Sequence, residues 1–135
     1  METKAHQRLL IVDDEPSVLL TYRMLLEHQG YEVVAASSSE EAEASLRESQ
    51  FDAVLCDLSL ERDRSGFDVF RVAREKYQSV PCILLTGYAN REVAERAEQN
   101  GVQVLYKPIE VEELLKTIEL SLRNAHGNQA KANGD

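Results

Sequence analysis

The 135-residue chain has no tryptophan, and its five tyrosines and three phenylalanines make up only 6% of it. A core with so few rings must be filled by aliphatic side chains. Glycine and proline are scarce, at six and three residues, which excludes collagen-like and low-complexity chains. Two cysteines, Cys56 and Cys82, lie inside apolar runs with no CxxC or histidine-rich spacing. They read as buried structural thiols rather than a disulfide or a metal site. No apolar run approaches the length of a bilayer span, and the opening METKAHQRLL lacks the apolar region of a signal peptide. A soluble cytoplasmic protein, with no membrane partner, is the expectation. Positive charge is in deficit, because 15 Lys and Arg against 24 Asp and Glu leave a net −9. Phosphate backbones are bound by clustered Lys and Arg, so direct nucleic-acid binding is disfavoured. The acidic excess serves solubility or cation binding.

What the sequence does contain is alternation. An apolar run over 8–13 precedes a helical stretch over 16–29, where Pro16 suits the first turn and Gly30 the residue just past the last. YEVVAA (31–36) reads as a strand, and the helix over 37–49 opens with serines that cap and glutamates that suit a helix N-terminus. FDAVLCD (51–57) is a continuous apolar strand ending in an acid, followed by a polar loop over 58–65 and a helix from Gly66 to about 78. VPCILLTG (80–87) is a strand, 90–99 a helix, and GVQVLYKP (101–108) the last strand. Val111, Leu114, Leu115, Ile118 and Leu122 mark one face of a closing helix. The segment 125–135 has no periodicity and is expected to be a mobile tail after a single domain over 1–124.

Five strands alternate with five helices, and the strands are apolar on successive residues, as in a parallel sheet covered on both faces. The expected fold is α/β, a doubly wound (βα)5 three-layer sandwich of flavodoxin-like type with strand order 2-1-3-4-5. Ligands bind such folds at the carboxyl ends of the strands, near the switch in strand order. Those ends carry Asp13 and Asp14, then Asp57, then Thr86, then Lys107. Three nearby carboxylates with no His or Cys favour a hard divalent cation, Mg²⁺ above all. A carboxylate is also a nucleophile toward phosphorus, while a lysine and a hydroxyl stabilise a transferring phosphoryl group. Asp57 stands alone on its strand, in the middle of the rim, and is the expected nucleophile. Taken singly, Asp13 and Asp14 would read as helix caps, and Thr86-Gly87 or Lys107-Pro108 as ordinary turns. Their joint placement points to a site instead.

The set Asp13-Asp14, Asp57, Thr86-Gly87 and Lys107-Pro108 resembles the receiver domain of two-component response regulators, over about residues 8 to 124. The resemblance implies that Asp57 is phosphorylated by a phosphohistidine on a sensor kinase or phosphotransfer protein. It implies Mg²⁺ ligation by Asp14, Asp57 and the Ser59 carbonyl, with Asp13 beside the ion or acting through water. Lys107 would contact the phosphoryl group, and Thr86 would turn inward to hydrogen-bond it. A cis Lys107-Pro108 peptide is also implied. Such a domain is no conventional enzyme: it catalyses only its own phosphorylation and dephosphorylation. It would signal through the face built from the fourth helix, fifth strand and fifth helix, to a downstream protein or by phosphorylation-dependent dimerisation. The helix over 90–99 has little apolar grip beyond Val93, Ala94 and Ala97, so it is the expected moving part.

Two positions depart from the family pattern. Receivers commonly carry an aromatic three residues before the lysine, where this chain has Val104; Tyr106 shares its strand parity and reads either as a partial substitute in the switch or as a packing residue. In the loop after Asp57, Glu61 stands where the family often has Pro, and Gly66 comes one residue later than usual. Arg62 and Arg64 there read as solvated charges or as a dock for an acidic partner. Ser59 and Tyr88 flank the site and are expected to tune the lifetime of the phosphoryl group. His6, His28 and His126 are expected to be exposed and non-catalytic, and Tyr22 and Leu25 to pack in the core. With no output domain evident, a stand-alone signalling switch is the leading expectation. The alternative is a non-phosphorylated interaction module of the same fold. A phosphatase of the haloacid-dehalogenase type lacks its DxD pattern here, and no GxGxxG, P-loop or flavodoxin-type phosphate loop is present.

Overall fold

Each central strand carries apolar side chains at both parities because each is covered on both sides. On β1 (Arg8–Val12), Leu9 and Ile11 enter one core layer and Leu10 and Val12 the other, all four fully buried. The same split recurs on β3 (Ala53–Asp57), with Ala53 and Leu55 against Val54 and Cys56, and on β4 (Cys82–Thr86), with Ile83 and Leu85 against Cys82 and Leu84. The computed structural model describes residues 7–87 and 90–134, with side chains described up to Ala125. Five parallel strands lie in the order 2-1-3-4-5, with β2 (Glu32–Ala36) and β5 (Gln103–Tyr106) at the edges. The expected fold is the observed one.

One layer is built by α1 (Pro16–His28) and α5 (Val111–Gly134), which bury Leu19, Leu26, Leu114, Ile118 and Leu122 against the odd-numbered strand residues. The other is built by α2 (Ser39–Glu48), α3 (Gly66–Lys76) and α4 (Arg91–Gln99), through Ala42, Leu46, Phe67, Phe70, Ala73 and Ala97. Aliphatic side chains and two buried cysteines do most of the filling, as the shortage of aromatics requires. Burial pushes the Cys56 thiol well above its ordinary pKa and the Cys82 thiol to about 11, so neither is a nucleophile near neutral pH.

The helix ends follow local chemistry. Gly30, at φ 102°, closes α1 with paired bonds from Gly30 N to Glu27 O and from Tyr31 N to Leu26 O. Gly101, at φ 62°, closes α4 with bonds from Gly101 N to Glu98 O and from Val102 N to Ala97 O. Ser38 caps α2, and Ser65 with Asp68 forms a capping box on α3.

Several boundaries and faces differ from expectation. β1, β4 and β5 stop one or two residues before the ends of their apolar runs, and β2 to β5 begin one or two residues into theirs. Val111 is 45% exposed rather than on the core face of α5, because the helix begins there, above the sheet edge. Ala94 is exposed, leaving Val93 and Ala97 as the apolar hold of α4. On α1 the core residues are Leu19 and Leu26, with Tyr22 packed beside them and Leu25 only partly covered. α5 runs to Gly134, past residue 125 where the mobile tail is expected to begin. Helix elongation costs far less than nucleation, and the segment holds Ala, Gln and Lys with no proline to interrupt it. His28 is exposed as expected; His6 and the side chain of His126 lie outside the described residues.

Candidate functional site

Strand parity sets the site. Asp57 continues the alternation of Ala53 and Leu55, and Lys107 that of Leu105, so both side chains turn toward the α1/α5 layer. Asp13 continues that of Leu9 and Ile11, because Asp13 N still donates to Ala36 O beyond the end of β1. Lys107 N likewise donates to Thr86 O, carrying the β4–β5 ladder one residue further. The order 2-1-3-4-5 then places the end of β3 between those of β1 and β4.

The side chains meet. Lys107 Nζ lies 3.1 Å from Asp57 Oδ1 and 3.8 Å from Asp13 Oδ2. Asp13, Asp14 and Asp57 each offer an oxygen within 4.8 Å of the others. Asp13 is 1% exposed, and its Oδ1 accepts the backbone N–H of Glu15 at 2.9 Å. Its Oδ2 is buried with no hydrogen-bond partner. The Lys107 ammonium, 3.8 Å from this oxygen, is beyond hydrogen-bond reach, so the buried oxygen can still take a closer cation. Neither acid caps α1, whose N-cap is Glu15 with no side-chain bond to the helix, so the capping alternative fails.

Burial raises the Asp57 carboxyl pKa above its ordinary value, opposed by the hydrogen bond and charge of Lys107, with the charge of Asp13 adding to the rise. Lys107 is itself raised: burial works against its charge, but Asp57 and Asp13 outweigh it. Tyr22, which reads in the sequence as a core residue, is a member of this environment. Its hydroxyl pKa is raised by burial and by the charges of Asp13 and Asp57, against the lowering effect of Lys107. No spacing signal in the sequence links it to the rim, since α1 reaches the site only by packing over it.

Ser59 sits two residues beyond Asp57, in a bridge with Ser65. The flanking bonds run from Gly66 N to Leu58 O and from Leu60 N to Arg64 O, which leaves the Ser59 carbonyl out of that ladder. Thr86 is buried at the end of β4, in register with Tyr106, and by parity lies on the α2–α4 side of the sheet. Val104 packs partly buried on that same side, while Tyr106 is 42% exposed. Lys107-Pro108 is cis, as the resemblance implied. Tyr88 lies outside the described residues.

The loop after Asp57 is not a solvated strand of charges. Glu61 accepts from the amide of Ser39 at 3.1 Å and from its hydroxyl, at the N-terminus of α2. Arg64 pairs with Glu43 of α2 and stands 3.8 Å from Asp68 of α3. The loop is thereby tied to two helices, through contacts 21 and 22 residues apart in sequence, which no local pattern announces. Between these ties the 3-10 turn Glu61–Asp63 holds Arg62 at φ 53° and Asp63 at φ 60°. Gly66 is required by close approach: a Cβ there would come within 2.8 Å of both Asp57 O and Leu84 Cδ1.

The sequence model of the response regulator receiver domain matches residues 9–119. The chain belongs to the response regulator receiver family. This receiver is 38% identical over 117 residues to the alginate biosynthesis transcriptional regulatory protein AlgB of Pseudomonas aeruginosa, covering 84% of the chain and 26% of that protein. It is 31% identical over 124 residues to the transcriptional regulatory protein ZraR of Escherichia coli K12, covering 91% of the chain and 28% of that protein. The receiver thus spans about a quarter of the length of these curated relatives. Among solved structures, a CheY-like receiver domain protein from Methanospirillum hungatei superimposes with a TM-score of 0.84 at 29% identity, covering 90% of this chain and 98% of that one. The chemotaxis protein CheY4 of Vibrio cholerae gives a TM-score of 0.79 at 29% identity, covering 85% of this chain and 98% of that one. The receiver is therefore part of two-component signalling. Among the described residues, no helix is long and apolar enough to cross a membrane.

Proposed function

We propose that this receiver takes a phosphoryl group from a phosphohistidine onto Asp57. The supporting observation is the lone carboxylate at the end of β3, set 3.1 Å from Lys107 Nζ and grouped with Asp13 and Asp14. An Asp57 oxygen attacks phosphorus, the P–N bond to the donor imidazole breaks, and its electron pair returns to the imidazole nitrogen. The Lys107 ammonium holds its charge beside the nucleophile, where it offsets the negative charge on the transferring oxygens. Asp14, Asp57 and the Ser59 carbonyl would hold Mg²⁺, with Asp13 beside it, and the orphaned Asp13 oxygen fits that assignment. When bound, the ion supplies charge neutralisation on the phosphoryl oxygens.

Thr86, buried in register with Tyr106, is the proposed sensor of the new phosphoryl group. The response then passes to the α4–β5–α5 face and biases its partner affinity. With Val104 small and half-buried and Tyr106 already exposed, the aromatic part of that response falls to Tyr106. A donor kinase or phosphotransfer protein is the implied partner, and the cytoplasm the implied compartment. The net charge of −9 supports a protein rather than nucleic acid as the direct downstream partner.

Incubation with Mg²⁺ and a small acyl phosphate, read by intact mass, tests the proposal. Wild type gains one phosphoryl group, and Asp57→Asn gains none. An unmodified wild type that also fails to bind Mg²⁺ would identify the chain as a constitutive interaction module instead.

A further inference from the structure

Away from the acidic rim, α3, α4 and the turn between α4 and β5 enclose an open groove of about 560 Å³. That volume falls in the usual range for small-molecule sites, about 300–1,000 Å³. Its floor is apolar and aromatic: Phe67 and Phe70 pack edge to face with centroids 6.3 Å apart, both nearly buried. Its walls carry Arg71, Arg74 and Arg96 against one lining acid, Glu75. Three guanidinium groups around one concavity are unexpected in a chain of net charge −9.

The three arginines do different work. Arg74 donates to the carbonyls of Val80, Asn100 and Gly101, which ties α3 to the α4–β5 corner and fixes the shape of the groove. Arg96 lies over the ring of Phe67, its guanidinium carbon 4.3 Å from the centroid. A cation–π contact of this kind attracts the charge without using the N–H groups. Arg71 is 67% exposed in its side chain and stands 3.7 Å from Asp68. Arg71 and Arg96 therefore present positive charge at the groove mouth. Arg96, held over the Phe67 ring, also offers a planar guanidinium of the kind on which nucleobases stack.

We propose that this groove binds a nucleoside phosphate, with the base stacked on the Arg96 guanidinium and the phosphates paired with Arg71 and Arg96. Arginine forks match phosphate oxygens bidentately, so the two groups recognise phosphate by geometry as well as charge. The site is separate from Asp57, and a bound ligand would bridge α3 to α4.

Calorimetric titration of the full chain with AMP and ATP tests this, in buffer containing EDTA so that no divalent ion links nucleotide to the acidic rim. Wild type and Asp57→Asn bind with saturation and equal affinity, as does Arg123→Ala, a control on α5. Arg71→Ala with Arg96→Ala weakens binding by about tenfold or more, the scale of a lost charge-assisted contact. Arg71→Glu, an exposed change that leaves the Phe67 contact intact, weakens it comparably with an unchanged melting temperature. No saturation at millimolar nucleotide, or equal affinity in the arginine variants, would overturn the proposal. So would inorganic tripolyphosphate binding as tightly as ATP, which would reduce the groove to a charge patch. Tighter binding of an oligoglutamate peptide than of ATP would likewise overturn it in favour of an acidic protein segment.

Discussion

Asp57 sits in a balance that pH can read out. Burial favours its neutral form, Lys107 favours the carboxylate, and Asp13 tips the sum toward a pKa above the ordinary 3.8. For a carboxyl raised on folding, the folded state binds its proton more tightly than the unfolded chain does. Its contribution is fully present below pH 3.8 and is lost as pH rises through the folded value. In metal-free protein, Asp57→Asn should therefore be more stable than wild type at neutral pH, with the difference shrinking as pH falls toward 4. Urea midpoints measured across that range check this; a difference independent of pH would contradict it. The acid and the lysine were legible as residues because each ends an apolar run. Tyr22 was not, because its place beside them depends on how α1 lies across the sheet.

Among the elements, the β3–α3 loop gains most from contacts distant in sequence. Glu61 meets the buried Ser39 at the start of α2, and the bonds from the Ser39 hydroxyl and amide hold its carboxyl below the ordinary range despite desolvation. Arg64 meets Glu43, one turn further along α2. These ties hold two non-glycine residues in left-handed backbone, which costs about 1–2 kcal/mol per residue. Glu61→Ala leaves the Ser39 groups without their acceptor and should destabilise the fold by about 1–3 kcal/mol, the usual cost of an orphaned buried donor. Chemical denaturation reads the loss, and it should shrink as pH falls below 4.5, where the unfolded chain takes up the Glu61 proton first, and disappear as pH passes through the lower folded value. As a charged loop of that length, the segment was visible in sequence. Its anchorage was not, since residues 21 and 22 positions apart become neighbours only when α2 and α3 pack side by side.

At the scale of the whole molecule, the sheet concentrates three carboxylates at one edge of a chain that is already acidic. A cation bound there relieves the local repulsion and supplies a closer partner to the Asp13 oxygen, which has no hydrogen bond and stands 3.8 Å from the Lys107 ammonium. Mg²⁺ at a hundred times its dissociation constant should stabilise the fold by about 2.7 kcal/mol. For a domain of this length, that is a rise in Tm on the order of 5–10 °C. Thermal melts with and without the ion check it, and Asp13→Asn should lose most of the shift. A melting temperature indifferent to Mg²⁺ would count against the metal assignment.

Periodicity and chain punctuation were enough to determine five strands, five helices, their order and the acids at their ends. Hydrophobic burial on two faces and the rise of each element are local properties, written into consecutive residues. The distances from Lys107 to Asp57 and Asp13, the bracing of the β3–α3 loop, the exposure of Tyr106 and the arginine groove over Phe67 were decided only in three dimensions. Each depends on side chains from separate elements meeting at a particular angle, and packing sets that angle through contacts no single segment contains.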